Sequence, residues 1–156
     1  AAAQERVVSL GGSVTEIVAA LGKGDRLVGR DTTSTMPETV RALPDLGYVR
    51  ALSPEGVLSV RPDLILAEEG AGPPATVELL RSGGVPFVTV PEAFDAEGVA
   101  ERIRVVGNAL GAGDRAEALA AAGAAARADG GAQLRDHFTI GFRPLQEAAV
   151  AADGLR

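Results

Sequence analysis

The chain has one tyrosine, Tyr48, and it stands two residues before an arginine in Gly47-Tyr48-Val49-Arg50. In an extended stretch, residues two apart face the same way, so Tyr48 and Arg50 can point together into a crevice. A guanidinium beside a phenol favours the phenolate, which an ordinary pKa of about 10 otherwise keeps protonated. Phenolate is a good ligand for ferric iron and an axial ligand for haem. The competing reading is a loop tyrosine that only packs. Other routes to metal are narrow: with no cysteine and a single histidine, His137, neither a thiolate site nor a multi-histidine site can form. A metal would arrive inside a cofactor or on oxygen ligands.

A second feature is Leu10-Gly11-Gly12-Ser13, between a strand-like and a helix-like run. Free amides and the helix dipole at such a turn attract a carboxylate or phosphate. Asp31 follows about 20 residues on, where a dinucleotide site places its ribose contact. A tight β-to-α turn accounts for the glycines equally well. The G-x-G-x-x-G and G-x-x-x-x-G-K-[ST] spacings are absent, and no nucleophile and base stand together nearby. A nucleotide-dependent enzyme built on Gly11, Gly12, Ser13 and Asp31 is therefore the alternative, and a binding protein without catalytic residues is the expectation.

These residues need a scaffold, and the pattern supplies one. Compact β-rich runs at Arg6 to Leu10, Arg26 to Arg30, Asp63 to Ala67 and Pro86 to Val90 are bounded by Gly, Pro or Asp. Helix signals lie between them. Ser13-Val14-Thr15-Glu16 reads as a capping box, followed by Ile17, Val18 and Leu21 at helical spacing. Ser53-Pro54-Glu55 starts a second helix, Pro73 to Ser82 makes a third, and Asp95 to Leu110 a fourth, with Val99, Ile103, Val106 and Leu110 on one face. Alternating β and α runs predict a mostly parallel sheet with helices on both faces and a site beyond the carboxyl ends of the strands. An alanine-rich helix runs from Asp114 to about Asp129. It has high intrinsic propensity but little grip for packing, which suits a spacer.

Composition narrows the partners. Fifteen Lys and Arg against 21 Asp and Glu give a net charge of −6, and aromatics are 3% of the chain. That surface repels phosphate backbones and offers few stacking platforms, so nucleic acid is not the expected partner. No apolar run approaches the roughly 20 residues needed to span a bilayer. The start, Ala1-Ala2-Ala3-Gln4-Glu5, is not an intact signal peptide and is compatible with the remnant of cleavage at a small-residue site. No cysteine marks a lipid-anchor signal there. Val, Ile, Leu and Phe number 33 in the first 111 residues and 8 in the last 45. The first stretch thus reads as a domain and the second as an appendage or fragment.

Three runs carry a family resemblance: R-V-V-S-L-G-G-S-V-T-E-I-V-A-A-L-G (Arg6 to Gly22), D-T-T-S (Asp31 to Ser34) and L-P-D-L-G-Y-V-R-A-L-S-P-E-G-V-L-S-V-R-P-D-L-I-L (Leu43 to Leu66). Their order and spacing resemble the haem-binding proteins of bacterial haem ABC importers, over Arg6 to about Arg127. The resemblance implies two Rossmann-like α/β lobes bridged by a long helix, in an exported, periplasmic or cell-surface, monomeric protein that hands haem to a membrane permease. It implies Tyr48 as the axial ligand to the haem iron and Arg50 as the support of the phenolate or partner of a propionate. Gly12 and Ser13 become cleft residues. Glu55 becomes an exposed acid that docks onto permease arginines. G-F-R-P-L-Q-E (Gly141 to Glu147) is similar to the family's second-lobe segment, which makes Glu147 the counterpart of Glu55 and offers Arg143 to a propionate. Siderophore and corrinoid binders share the implied fold but lack that tyrosine, and remain the nearer alternative.

The expected organisation is an N-terminal α/β lobe over residues 1–111, a bridging helix over 112–129 and a partial second α/β lobe over 130–156. After Asp129 no apolar strand run appears, so most of a second lobe is expected to be missing from this chain. His137 sits where the family has no consistent ligand and reads as a surface residue.

Overall fold

A computed structural model of the chain describes residues 5–130. His137, Arg143, Glu147 and the expected partial second lobe lie outside the described residues. The elements run β1 (Val7–Leu10), α1 (Gly12–Ala20), β2 (Leu27–Arg30), α2 (Pro54–Leu58), β3 (Leu64–Glu68), α3 (Pro74–Ser82), β4 (Phe87–Val90), α4 (Ala96–Ala109) and α5 (Gly113–Gly130). The four strands form one parallel sheet in the order β2-β1-β3-β4. Each begins within a residue of its expected start.

Strand periodicity divides the core into two layers. Val7, Leu64, Leu66 and Val90 pack with Ile17 and Val18 of α1, Ile103 and Val106 of α4, and Leu119 of α5. Val8, Leu10, Ile65 and Ala67 point the other way, onto Val57 of α2 and Leu80 of α3. Side chains alternate faces along a strand, so near-continuous apolar runs are what a sheet covered on both sides requires. The fold is α/β, as expected, and helices cover both faces.

The expected cap at Ser53 forms, accepting from the Gly56 amide at 3.0 Å, and Asp95 caps α4 by accepting from the Gly98 amide at 2.7 Å. The capping box does not form. Helix α1 starts two residues earlier, after Gly11 at φ 116°, and has no side-chain cap. Ser13 is already inside the helix, and Thr15 and Glu16 are turned into the protein. The reason is that α1 enters directly from a buried strand, so its first turn packs instead of facing water. Alanine-rich α5 also does more than span a gap, because Ala116, Leu119 and Ala120 are buried in the core shared with α4. Close approach makes this possible: a Cβ on Gly107 would lie 2.2 Å from that of Ala116.

Candidate functional site

In the order β2-β1-β3-β4, the chain goes to one side of β1 and then returns to the other. The crevice at such a reversal, beyond the carboxyl ends of β1 and β3, is where open α/β sheets bind ligands. Its floor is Gly11, just after β1, and Glu68, the last residue of β3. The Glu68 carboxyl fills the space a Gly11 side chain would need, its Oε2 only 2.4 Å from the position of a Cβ there.

Asp31 follows β2 directly and organises one wall. It is fully buried and accepts four hydrogen bonds: from the Gly11 amide at 2.9 Å, the Ser34 hydroxyl at 2.6 Å, the Thr33 amide at 3.0 Å and the Thr33 hydroxyl at 2.7 Å. A hydroxyl relay continues inward from Ser34 to Thr15 (2.7 Å) and Ser9 (2.6 Å). This corrects the nucleotide reading, because a carboxylate has about four acceptor positions and all of them are occupied. Asp31 is a structural acid that joins the first β-to-α turn to the loop after β2. The Gly12 amide likewise donates to Thr33 Oγ1 at 3.1 Å, and the Ser13 hydroxyl accepts from Arg102 Nη2.

The loop from β2 to Tyr48 is tied down by polar groups. Arg30 donates to the Val40 carbonyl and pairs with Asp45 at 3.6 Å. Asp45 in turn accepts from the Gly47 amide at 3.0 Å and the Thr32 hydroxyl at 2.9 Å. The Gly47 amide does most to hold its carboxyl below the usual range; burial opposes it, and the Thr32 hydroxyl and the Arg30 charge add smaller help. Gly47 at φ 105° lets the chain leave in the direction that presents Tyr48.

Tyr48 does not lie in an extended stretch. The Ala51 amide donates to the Tyr48 carbonyl at 2.8 Å, closing a tight turn over residues 48–51. Val49 is 2% exposed and packs beneath with Leu52, whereas Tyr48 is 49% exposed and Arg50 is also on the surface. Both residues therefore face outward because Val49 anchors the turn inward. The Gly72 amide to the Val49 carbonyl (3.0 Å) and the Leu52 amide to the Gly72 carbonyl (2.9 Å) fasten this turn to the loop after β3. With the Thr32 amide donating to the Gly47 carbonyl at 3.0 Å, these bonds hold the turn beside the loops that follow β2 and β3, at the carboxyl ends of the strands, and the Arg50 charge is felt by Glu68. Glu55 is exposed in the first turn of α2.

Glu68 and Arg102 were not singled out from the sequence. Burial and the nearby Asp31 charge raise the carboxyl pKa of Glu68, Arg102 and Arg50 lower it, and Glu92 raises it again. Arg102, on α4, is 7% exposed and its Nε has no partner among the described residues. Burial lowers its pKa, opposed by Glu68 and Glu92. Its position carried a signal, because 102 falls with Val99 and Val106 on the apolar stripe of α4, where a guanidinium is out of place.

A family model described as "Periplasmic binding protein" matches residues 7–129. The solved periplasmic heme-binding protein RhuT from Roseiflexus sp. RS-1, in apo form, is 43% identical and superposes with a TM-score of 0.77, covering 81% of this chain and 48% of RhuT. A periplasmic heme-binding protein from Pseudomonas aeruginosa is 38% identical with a TM-score of 0.72, covering 81% of this chain and 50% of that one. The vitamin B12-binding protein of Yersinia pestis is 38% identical over 96 residues, 61% of this chain and 34% of the relative. The chain thus spans about half the length of these solved structures and about a third of that curated relative.

Proposed function

The chain belongs to the periplasmic binding protein family, and from that premise we propose that it captures ferric haem, with Tyr48 as axial ligand, for delivery to an ABC permease. It acts outside the cytoplasmic membrane, in the periplasm or at the cell surface, as a carrier and not as an enzyme. The observation that carries this reading is the presentation of Tyr48. A half-exposed phenol stands on a turn fixed by the buried Val49 and by backbone bonds to the next loop, with Arg50 exposed on the same turn. A ligand so placed can bind iron without any part of the lobe unfolding, and phenolate is a good ligand for ferric iron.

Apolar surface for a porphyrin lies on the same side of the sheet. Met36, in the loop after β2, is 37% exposed, and Phe94, in the loop after β4, is 76% exposed. The bridging role of α5 and the role of Arg143 in covering the ligand rest on the family resemblance. So does docking to the permease, with Glu55 on this lobe and Glu147 as its counterpart.

Similarity to a vitamin B12-binding protein supports a second reading, in which the ligand is a corrinoid and Tyr48 is dispensable. Parallel titrations with hemin and cyanocobalamin separate the two. The haem reading expects saturable, one-step quenching of protein fluorescence by hemin and none by cyanocobalamin; saturation by cyanocobalamin alone sinks it.

A further inference from the structure

Arg102 is the least explained charge in the lobe. A guanidinium more than nine-tenths buried, with no ion pair within 4.0 Å and an unpartnered Nε among the described residues, is costly unless an anion compensates it. Its Nη2 donates to Ser13 in the first turn of α1, so it sits at the positive end of a nine-residue helix. The nearest acids, Glu68 and Glu92, act on it through charge without closing a salt bridge. Glu68 lies over Gly11 with its carboxyl in the crevice and feels Arg50 as well as Arg102. One carboxylate, seated over Gly11, thus feels the charge of two guanidiniums, Arg50 and Arg102.

Building on the haem reading above, we infer that Arg102, with Ser13 and the α1 N-terminus, is a carboxylate-binding position on the crevice floor, and that Glu68 occupies its approach until a ligand carboxylate displaces it. Charge-assisted bonds from a guanidinium in a poorly solvated place are the strong ones. Ligand selection then has two parts, iron recognised by Tyr48 and an acidic arm recognised by Arg102. The two residues near this carboxyl have opposite effects: Arg102 attracts the acidic arm, whereas Glu68 competes with it.

The test compares hemin with hemin dimethyl ester, which keeps the iron and ring but has no free carboxylate. Wild-type protein is expected to prefer hemin by about tenfold or more. Arg102→Gln cuts that preference to a few-fold at most, with hemin binding falling more than ester binding, Arg102→Lys retains more of it, and Glu68→Gln tightens hemin several-fold. Circular dichroism melting accompanies each variant. Should Arg102→Gln fail to fold, the Arg102→Lys and Glu68→Gln arms still decide. Equal loss of hemin and ester in a folded Arg102 variant, an unchanged preference, or weaker hemin binding by Glu68→Gln overturns the inference while the haem reading stands. Wild-type protein that binds neither porphyrin overturns the haem reading, and the inference with it.

Discussion

Replacing Glu16 by glutamine tests how tightly α1 is packed. Glu16 lies on α1, is 9% exposed, and its Oε2 has no partner among the described residues. Burial pushes its carboxyl up from 4.5 to about 7. For an acid raised in this way, folding favours the protonated form. Stability is therefore fullest below about 4.5, falls as pH rises through about 7 and levels off above that. At about 1.4 kcal/mol per pH unit, the whole rise is worth about 3 kcal/mol, of which about 2.5 falls between about pH 5 and about pH 9. Against a total stability of about 5–15 kcal/mol for a domain, that is a large share. Urea unfolding of wild-type protein and Glu16→Gln at those two pH values isolates this term, because glutamine does not titrate. The stability of the variant relative to wild type should improve by about 2.5 kcal/mol from the lower to the higher pH. A difference between the two proteins that does not change with pH would refute the burial of a titrating carboxyl at this position.

Two other changes probe the frame around the crevice. Asp31→Ala leaves the Gly11 amide and the Ser34 hydroxyl without their acceptor and is expected to cost about 3 kcal/mol or more in urea unfolding; Asp31→Asn, which keeps the shape but puts a donor where donors already point, falls between. Gly107→Ala places a Cβ about where that of Ala116 already is, so the pair of α4 and α5 must separate, at about 1–3 kcal/mol by thermal denaturation.

Most of the sheet was legible because its strands are short apolar runs bounded by Gly, Pro or Asp, and the central strands β1 and β3 are buried on both faces. The start of α1 was not. Ser13 and Glu16 have capping-box spacing, but a capping box presupposes an exposed first turn. Here Asp31 and Thr33 supply acceptors to the Gly11 and Gly12 amides from another loop, 20 and 21 residues away. Asp31 was visible as an acid after β2; its role was hidden because its partners converge only in the fold. That Tyr48 and Arg50 both face away from the core was legible, although it comes from a tight turn over a buried Val49 and not from strand alternation. Arg102 was passed over because a charge on a helix is ordinarily assigned to solvent, yet its place on the stripe of Val99 and Val106 marked it as buried.

The central claim, that Tyr48 is an axial ligand to haem iron, is tested most directly by the absorption spectrum of the ferric haem complex in wild-type protein and in Tyr48→Phe. Removing a hydroxyl from a half-exposed side chain should change stability by no more than about 0.5 kcal/mol, so the spectrum reports ligation and not folding. Wild-type protein should show the charge-transfer band of phenolate-ligated ferric haem at a stoichiometric end point, and Tyr48→Phe should lose that band. A variant spectrum that superimposes on the wild type would contradict the assignment of Tyr48.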